Sequence, residues 1–342
     1  MRRFCVTRIR FNFFLAFFLA SFLAMKNVVT LTLNPAIDKS TSVPRLIADQ
    51  KLRCDPPKVE PGGGGINVAR GLKRLGLPSR AVFAAGGPPG EVLRQLMTRE
   101  GIDQHAVQTE SWTRENFTVV DASSNQQYRF GMPGTALTAP EQAQVLRVLA
   151  ALRPAPEVLV ASGSLPQGVA PEFMGAIARW ARSVGAKLIV DTSDEALQSA
   201  VHEGVYLLKP NLGELSRLAG VEALDTESAA EAARGIIGAG KCEIVVVSLG
   251  PNGAYLVTKD EEEHIAAPAV KKRSTVGAGD SMVAGMVFAL CQGRPVREAV
   301  RLGVACGSAA TMNSGTELFH RQDAEKLFQW LLNRMPQTAP TH

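Results

Sequence analysis

The chain has 342 residues, 46% hydrophobic and 20% charged, which suits a soluble globular protein with room for one large α/β domain or two small ones. Its formal charge of +5 rests largely on Arg2, Arg3, Arg8 and Arg10. Beyond residue 24 there are 33 basic and 32 acidic residues, so the body has no basic excess to attract a nucleic acid, and any pull on an anion has to be local.

The five cysteines (Cys5, Cys54, Cys242, Cys291 and Cys306) contain no C-x-x-C pair. An odd, scattered set argues for reduced thiols in a cytoplasmic protein and against a disulfide framework. Residues 1–10 are basic and residues 11–24 almost wholly apolar, the pattern of a signal peptide but short of the roughly 20 apolar residues a membrane span needs. The segment ends in Ser21-Phe22-Leu23-Ala24, a poor cleavage site, and runs without a spacer through Met25 into a strand-like stretch. The expectation is a start at Met25, with residues 1–24 an upstream extension. Membrane contact is expected only if those residues form a genuine translated anchor.

From Val28 onward, apolar runs alternate with amphipathic ones. Strand-like segments are 28–33, 81–85, 158–161, 188–191, 205–208 and 244–248; helical patterns cover 67–75, 91–100, 141–152, 171–184 and 228–238. Continuously apolar strands between amphipathic helices predict an α/β fold, a mostly parallel sheet covered on both faces. Two stretches break the alternation. Residues 39–58 are polar and strand-like, and 116–132 reads as a hairpin turning at Ser123-Ser124-Asn125-Gln126. Together they could form a small antiparallel sheet acting as a lid, or be two ordinary surface excursions. The last third is helical, over about 278–291, 296–312 and 324–334, and 335–342 reads as a disordered tail.

Several motifs in these elements carry chemistry. Pro61-Gly62-Gly63-Gly64-Gly65-Ile66-Asn67 opens a helix, and its glycines permit close backbone approach to a ligand, or simply a flexible turn. In Lys209-Pro210-Asn211-Leu212-Gly213-Glu214, Asn211 and Glu214 can offer oxygen near Mg²⁺ or cap a helix. Gly235–Cys242 nearly matches a P-loop, but Cys242 replaces the Ser or Thr and the order is helix then strand, so it reads as a helix end. Ser248-Leu249-Gly250-Pro251-Asn252-Gly253 closes a strand, a natural nucleotide position or a hairpin turn. The strongest is Thr275-Val276-Gly277-Ala278-Gly279-Asp280-Ser281 at the start of an apolar helix. Its first N–H groups and helix dipole suit a transferring phosphoryl group and keep Asp280 ionised as a general base.

In this order the motifs resemble the ribokinase-like PfkB family of carbohydrate kinases, over roughly residues 25–334. Within it, the minor-type 6-phosphofructokinase branch matches best. That match rests on Thr32–Asp38, Lys51-Leu52-Arg53-Cys54, the four glycines, Trp112-Thr113-Arg114, Gln127–Phe130 with Met132-Pro133-Gly134, and Ser162–Pro166. The resemblance implies a ribokinase-like kinase core (25–38, 59–115 and 133–334) with a β-sheet lid (39–58 and 116–132), and a homodimer through the lid. It implies transfer of the γ-phosphoryl group of ATP to the 1-hydroxyl of fructose 6-phosphate, a step of glycolysis; tagatose-6-phosphate kinase and 1-phosphofructokinase are the neighbouring activities, and a non-catalytic sugar-phosphate sensor would be expected to lose the base or the anion hole.

By the same resemblance, Asp38, Gly63, Gly64 and Asn67 surround the sugar, Lys51, Arg53 and Arg114 meet its phosphate, and Ser164 sits nearby. Lys209, Asn211 and Glu214 serve the ATP phosphates and Mg²⁺. Ser248, Gly250, Gly253, Val304 and Ser308 line the nucleotide. Gly277, Ala278 and Gly279 form the anion hole beside Asp280. Ser274, Val276, Ala310, Asn313 and Gly315 form a loop for a monovalent cation, K⁺. Two positions depart from neighbouring patterns. Gly64 stands where 1-phosphofructokinases and tagatose-6-phosphate kinases typically have Lys, which favours fructose 6-phosphate. Ile47 stands near the place of an aromatic residue that helps hold a second, inhibitory ATP, which weighs against such inhibition.

Overall fold

The computed structural model describes residues 26–134 and 136–334; the extension at 1–24 and the tail at 335–342 lie outside the described residues. In chain order the first elements are β1 (Val28–Thr32), β2 (Ala36–Val43), β3 (Lys58–Gly62), α1 (Gly64–Leu75), β4 (Arg80–Ala85), α2 (Gly87–Arg99) and β5 (Asp103–Gln108). There follow β6 (Arg114–Asp121), β7 (Gln126–Phe130), α3 (Ala139–Ala151), β8 (Val158–Ser162), α4 (Glu172–Ser183), β9 (Lys187–Asp191), α5 (Asp194–Glu203) and β10 (Val205–Leu208). The rest are α6 (Leu212–Ala219), α7 (Thr226–Gly238), β11 (Cys242–Ser248), β12 (Ala254–Val257), β13 (Glu262–Ile265), α8 (Ala278–Cys291), α9 (Val296–Thr311) and α10 (Arg321–Leu332).

Nine strands form the main sheet in the order β13-β12-β11-β10-β9-β8-β1-β4-β5, parallel from β11 to β5, with β12 running against its neighbours. The apolar runs are continuous because both faces are covered. Leu159, Leu188, Val190 and Val245 point into a core with α3 to α7, while Val160, Ile189, Leu207 and Val246 point into one with α1, α8, α9 and α10. The edge strand β5 (DQHAVQ) is exposed along one side, so its sequence lacks the apolar signal of the interior strands. The short helices α5 and α6 likewise carry too few turns for their periodicity to stand out in the sequence.

The second sheet has the order β3-β2-β6-β7. It is antiparallel at both flanks but parallel at its centre, where Asp38 lies opposite Asn116. The expected antiparallel lid is therefore a mixed sheet. Its two central strands both leave the carboxyl edge of the main sheet, β2 after β1 and β6 after β5, and so run the same way. The sheet also begins earlier than segments 39–58 and 116–132, taking in Ala36–Asp38 and Arg114.

The order of the main sheet reverses at β1. The chain moves outward to β4 and β5, then returns to β8 on the other side. A cleft outside the carboxyl ends of β1 and β8 is the place where such sheets bind ligands.

Candidate active site

Helix α8 is apolar around its circumference and buried between α1 and α9, which fixes its start beneath the cleft. Gly277 is its N-cap at φ 72°, a left-handed conformation that glycine adopts without strain. Ser281 N–H closes the first turn on the Gly277 carbonyl at 2.9 Å. The N–H groups of Gly279 and Asp280 precede the first such bond and are open to an anion. Burial raises the Asp280 pKa, as do the Asp191 and Asp38 carboxylates; the Asn67 hydrogen bond and Lys209 oppose them, and the result is about 6. Asp280 is therefore a carboxylate at neutral pH with unusual proton affinity, as suits a general base.

The glycine run feeds α1, with Gly63 as its N-cap. One turn in, Asn67 Nδ2 donates to Asp280 Oδ2 at 2.9 Å, joining residues 213 positions apart. From the second sheet, Asp38 faces the same space; Asn116 Nδ2 donates to it at 2.9 Å, while burial raises its pKa. At the switch point, Asn34 Nδ2, just past β1, donates to Ser164 Oγ, just past β8, at 3.1 Å. Gly64 lies so close to β8 that a Cβ there would come within 2.2 Å of Ser162 Oγ and 2.8 Å of the Gly163 nitrogen. The backbone of α1 thus forms one wall of the cleft.

The opposite wall is built from the ends of β9, β10 and β11. Lys209 is buried, its Nζ 3.0 Å from Asp191 Oδ1 and 3.5 Å from where a Gly279 Cβ would stand. Burial opposes its charge, but the Asp191 carboxylate outweighs that and holds its pKa above the ordinary lysine value. Asn211 and Glu214 form a reciprocal capping box at the start of α6, each side chain accepting the other's backbone N–H at 2.9 Å. A strand-like bridge joins Asn211 to Ser248, so the two motifs meet at one sheet edge. Gly250 lies in a single 3₁₀ turn and Gly253 is buried beside it, within the β11–β12 hairpin. Val304 and Ser308 are buried on α9.

Ser274, Val276, Ala310, Asn313 and Gly315 also converge. Ser274 Oγ donates to the Gly315 carbonyl at 2.7 Å and accepts from Val276 N–H at 3.2 Å, and Asn313 N–H bonds the Ala310 carbonyl at 3.1 Å. The oxygens available there are neutral carbonyls and a hydroxyl, a donor set suited to a monovalent rather than a divalent cation. Among the described residues there is no cluster of three or more His, Cys, Asp or Glu that could hold a metal ion. A divalent ion would take Glu214 together with phosphate and water oxygens, the usual habit of Mg²⁺ beside a nucleotide.

Other expected residues lie differently. Lys51 and Arg53 are exposed on the loop between β2 and β3 and enter none of the hydrogen bonds or ion pairs among the described residues. Arg114 reaches the base of the second sheet, where its guanidinium donates to the carbonyls of Asn34 (3.0 Å), Met132 (3.2 Å) and Pro35 (3.4 Å). This leaves it two free N–H groups for an anion. The P-loop-like stretch is a helix end, since α7 stops at Gly238 and β11 starts at Cys242. Sequence reading passed over Asn116, Asp191, Glu60 and Arg70. Asp191 alone had a usable signal, an acid closing an apolar strand at the carboxyl edge.

Residues 26–322 match the model of the pfkB family carbohydrate kinases. The ATP-dependent 6-phosphofructokinase isozyme 2 of Escherichia coli (strain K12) is 43% identical over 312 residues, 90% of this chain and 99% of that one. The protein of the same name from Mycobacterium tuberculosis (strain H37Rv) is 41% identical, over 88% of this chain and 89% of its own. The crystal structure of the E. coli phosphofructokinase-2 in complex with fructose-6-phosphate superimposes with a TM-score of 0.85 at 41% identity, over 90% of this chain and all of that one; the potassium complex gives 0.86 at 43% over the same shares. A ribokinase from Thermotoga maritima, 21% identical with a TM-score of 0.70, shares the fold. The glycine run, the buried lysine and the aspartate at the start of α8 all fall within the matched segment, and the chain belongs to the pfkB family of carbohydrate kinases.

Proposed function

We propose that the protein is an ATP-dependent 6-phosphofructokinase that converts fructose 6-phosphate to fructose 1,6-bisphosphate in the cytoplasm. The observation that carries this reading is the convergence of Asp280, Asn67, Asp38 and Lys209 at the switch point, with the open N–H groups of α8 between them. Asp38 and Asn67 hold sugar hydroxyls, and the 1-hydroxyl stands against Asp280. As its oxygen bonds to the γ-phosphorus, Asp280 takes the proton, and the bond from that phosphorus to the β–γ bridging oxygen breaks to release ADP. Lys209 and the open N–H groups of Gly279 and Asp280, at the turn begun by Gly277 and Ala278, stabilise the charge on the transferring group without reorganising. Mg²⁺, taken by Glu214 and Asn211, would neutralise phosphate charge; K⁺ fits the neutral oxygens around Ser274 and Gly315.

A homodimer through the second sheet is supported by the outer face of that sheet. Phe117, Phe130 and Tyr128 share it as cross-strand neighbours, each more than a third exposed, while Asp38 and Asn116 line the other face. Gly64 favours fructose 6-phosphate because it lacks the Lys typical of the kinases that act on the other sugar phosphates; in this structure a Cβ there would meet the end of β8. Among the described residues no helix is long and apolar enough to cross a membrane.

The test is a coupled assay of ADP release with ATP·Mg²⁺ against fructose 6-phosphate, fructose 1-phosphate and tagatose 6-phosphate. Turnover with the highest kcat/KM on fructose 6-phosphate is expected. Preference for another sugar phosphate would reassign the substrate, and no turnover on any would leave a sugar-phosphate sensor.

A further inference from the structure

Arg70 is only 2% exposed, a cation buried beneath the cleft on the second turn of α1. Its guanidinium is fully engaged. Nη1 donates to Asn67 Oδ1 at 3.2 Å and to the Pro61 carbonyl at 3.1 Å; Nη2 donates to Glu60 Oε1 at 3.1 Å; Nε donates to Glu100 Oε2 at 2.8 Å. Glu60 belongs to β3 of the second sheet and also accepts from Thr316 Oγ1 at 2.8 Å, so the anchor of Arg70 is itself held in place. A carboxamide is nearly symmetric in shape, and its partners alone decide which end faces which group. With Arg70 on Oδ1, the Asn67 NH₂ is the end left facing Asp280. A flipped amide would set oxygen against the carboxylate and NH₂ against the guanidinium.

We propose that Arg70 is a positioning residue for the phosphoryl transfer. By holding the carbonyl end of Asn67 it keeps Nδ2 on Asp280 Oδ2, and the acceptor hydroxyl is left to face the carboxylate oxygens of Asp280. Four other charged groups face this pair from neighbouring elements: Asp191 of β9, Lys209 after β10 and Asp38 of β2 around Asp280, and Glu100 at the end of α2 beside Arg70. Arg70→Lys leaves all of these in place. A lysine keeps the charge near Glu60 and Glu100, but its single ammonium cannot also reproduce the fork onto Asn67 and Pro61.

This inference rests on the kinase reading, so the test has one readout with turnover and one without. Titration of the Asp280 carboxyl is followed by carbon NMR of aspartate-labelled protein, assigned by the signal missing from Asp280→Asn. In Arg70→Lys it should move up by about one pH unit, the scale of losing one hydrogen bond to a charged group. In an Asn67→Ala background the same substitution should move it no further. With turnover, the acid limb of kcat should follow that shift, kcat at pH 7 should fall by about twofold and at pH 5.5 by nearly tenfold, and the KM for ATP should stay put. Glu60→Gln, which loosens only one anchor of Arg70, should give a smaller shift of the same sign and keeps the contact measurable if Arg70→Lys does not fold. An unmoved titration in the variant that folds, or an equal effect with and without Asn67, would overturn the proposal. An NMR shift in a protein that turns over no sugar phosphate would leave the contact standing and refute the kinase reading instead.

Discussion

Replacing Asp280 by Asn removes the proton acceptor while keeping nearly the same shape, since the asparagine Oδ1 can still accept from Asn67. With a pKa of about 6, Asp280 is roughly nine-tenths ionised at pH 7, so nearly all of the wild-type protein holds the competent base. Losing a positioned general base costs about 10²- to 10⁴-fold in kcat, or roughly 3–5 kcal/mol of barrier. The KM for either substrate should change little, because the anion-binding N–H groups and Lys209 remain.

Stability should move the other way. The folded-state pKa of Asp280 is raised above the unfolded value, so the folded protein binds the extra proton and is most favoured at low pH. That advantage is lost as pH rises through about 6. At pH 7.5 the buried carboxylate therefore destabilises the fold, by on the order of 2 kcal/mol after allowing for solvent in the cleft. Asp280→Asn should recover part of this and raise the melting temperature by a few degrees. The checks are the ADP-release assay and a thermal melt run near pH 4 and at pH 7.5, with most of the gain present only at the higher pH, because the penalty builds up between the unfolded value of 3.8 and about 6. A kcat within tenfold of wild type would remove Asp280 from the role of base. Lost activity with a lowered melting temperature would mean that the substitution acts through unfolding.

Other measurements bear on the rest of the site. Below pH 6 the wild-type kcat should fall as Asp280 gains a proton, approaching a tenfold loss per pH unit, the slope of a single proton; a flat profile down to pH 5 would mean another group is the base. Arg114→Ala should raise the KM for the sugar phosphate by about tenfold or more and leave that for ATP alone, and an unchanged sugar KM would confine Arg114 to its three carbonyl contacts. Gly64→Ala puts a methyl carbon against the end of β8 and should cost about 1–3 kcal/mol of stability along with most activity; a wild-type melt and kcat would show that the wall yields. Exchanging KCl for tetramethylammonium chloride at equal ionic strength should lower both kcat and melting temperature if a cation occupies the loop around Ser274 and Gly315, and neither should respond if none does.

The parallel sheet could be read from the sequence because each interior strand is buried on both faces and therefore apolar throughout; β5, exposed at the sheet edge, could not. The start of α8 was equally open to reading, since glycines, a helix N-terminus and an acid in the first turn are consecutive residues whose chemistry depends on local backbone. What the sequence determined by itself was an α/β fold with a glycine-bounded helix start and a carboxylate in its first turn. Tertiary structure alone decided that Asn67 bonds Asp280 across 213 residues, that Asn116 steadies Asp38, that Asp191 keeps Lys209 charged, and that Arg70 sits beneath them all on Glu60 and Glu100. Each of these contacts requires a particular strand order and a second sheet folded back over the cleft. The parallel pairing of β2 with β6 follows from the edge at which both strands leave the main sheet, which no local pattern of residues records.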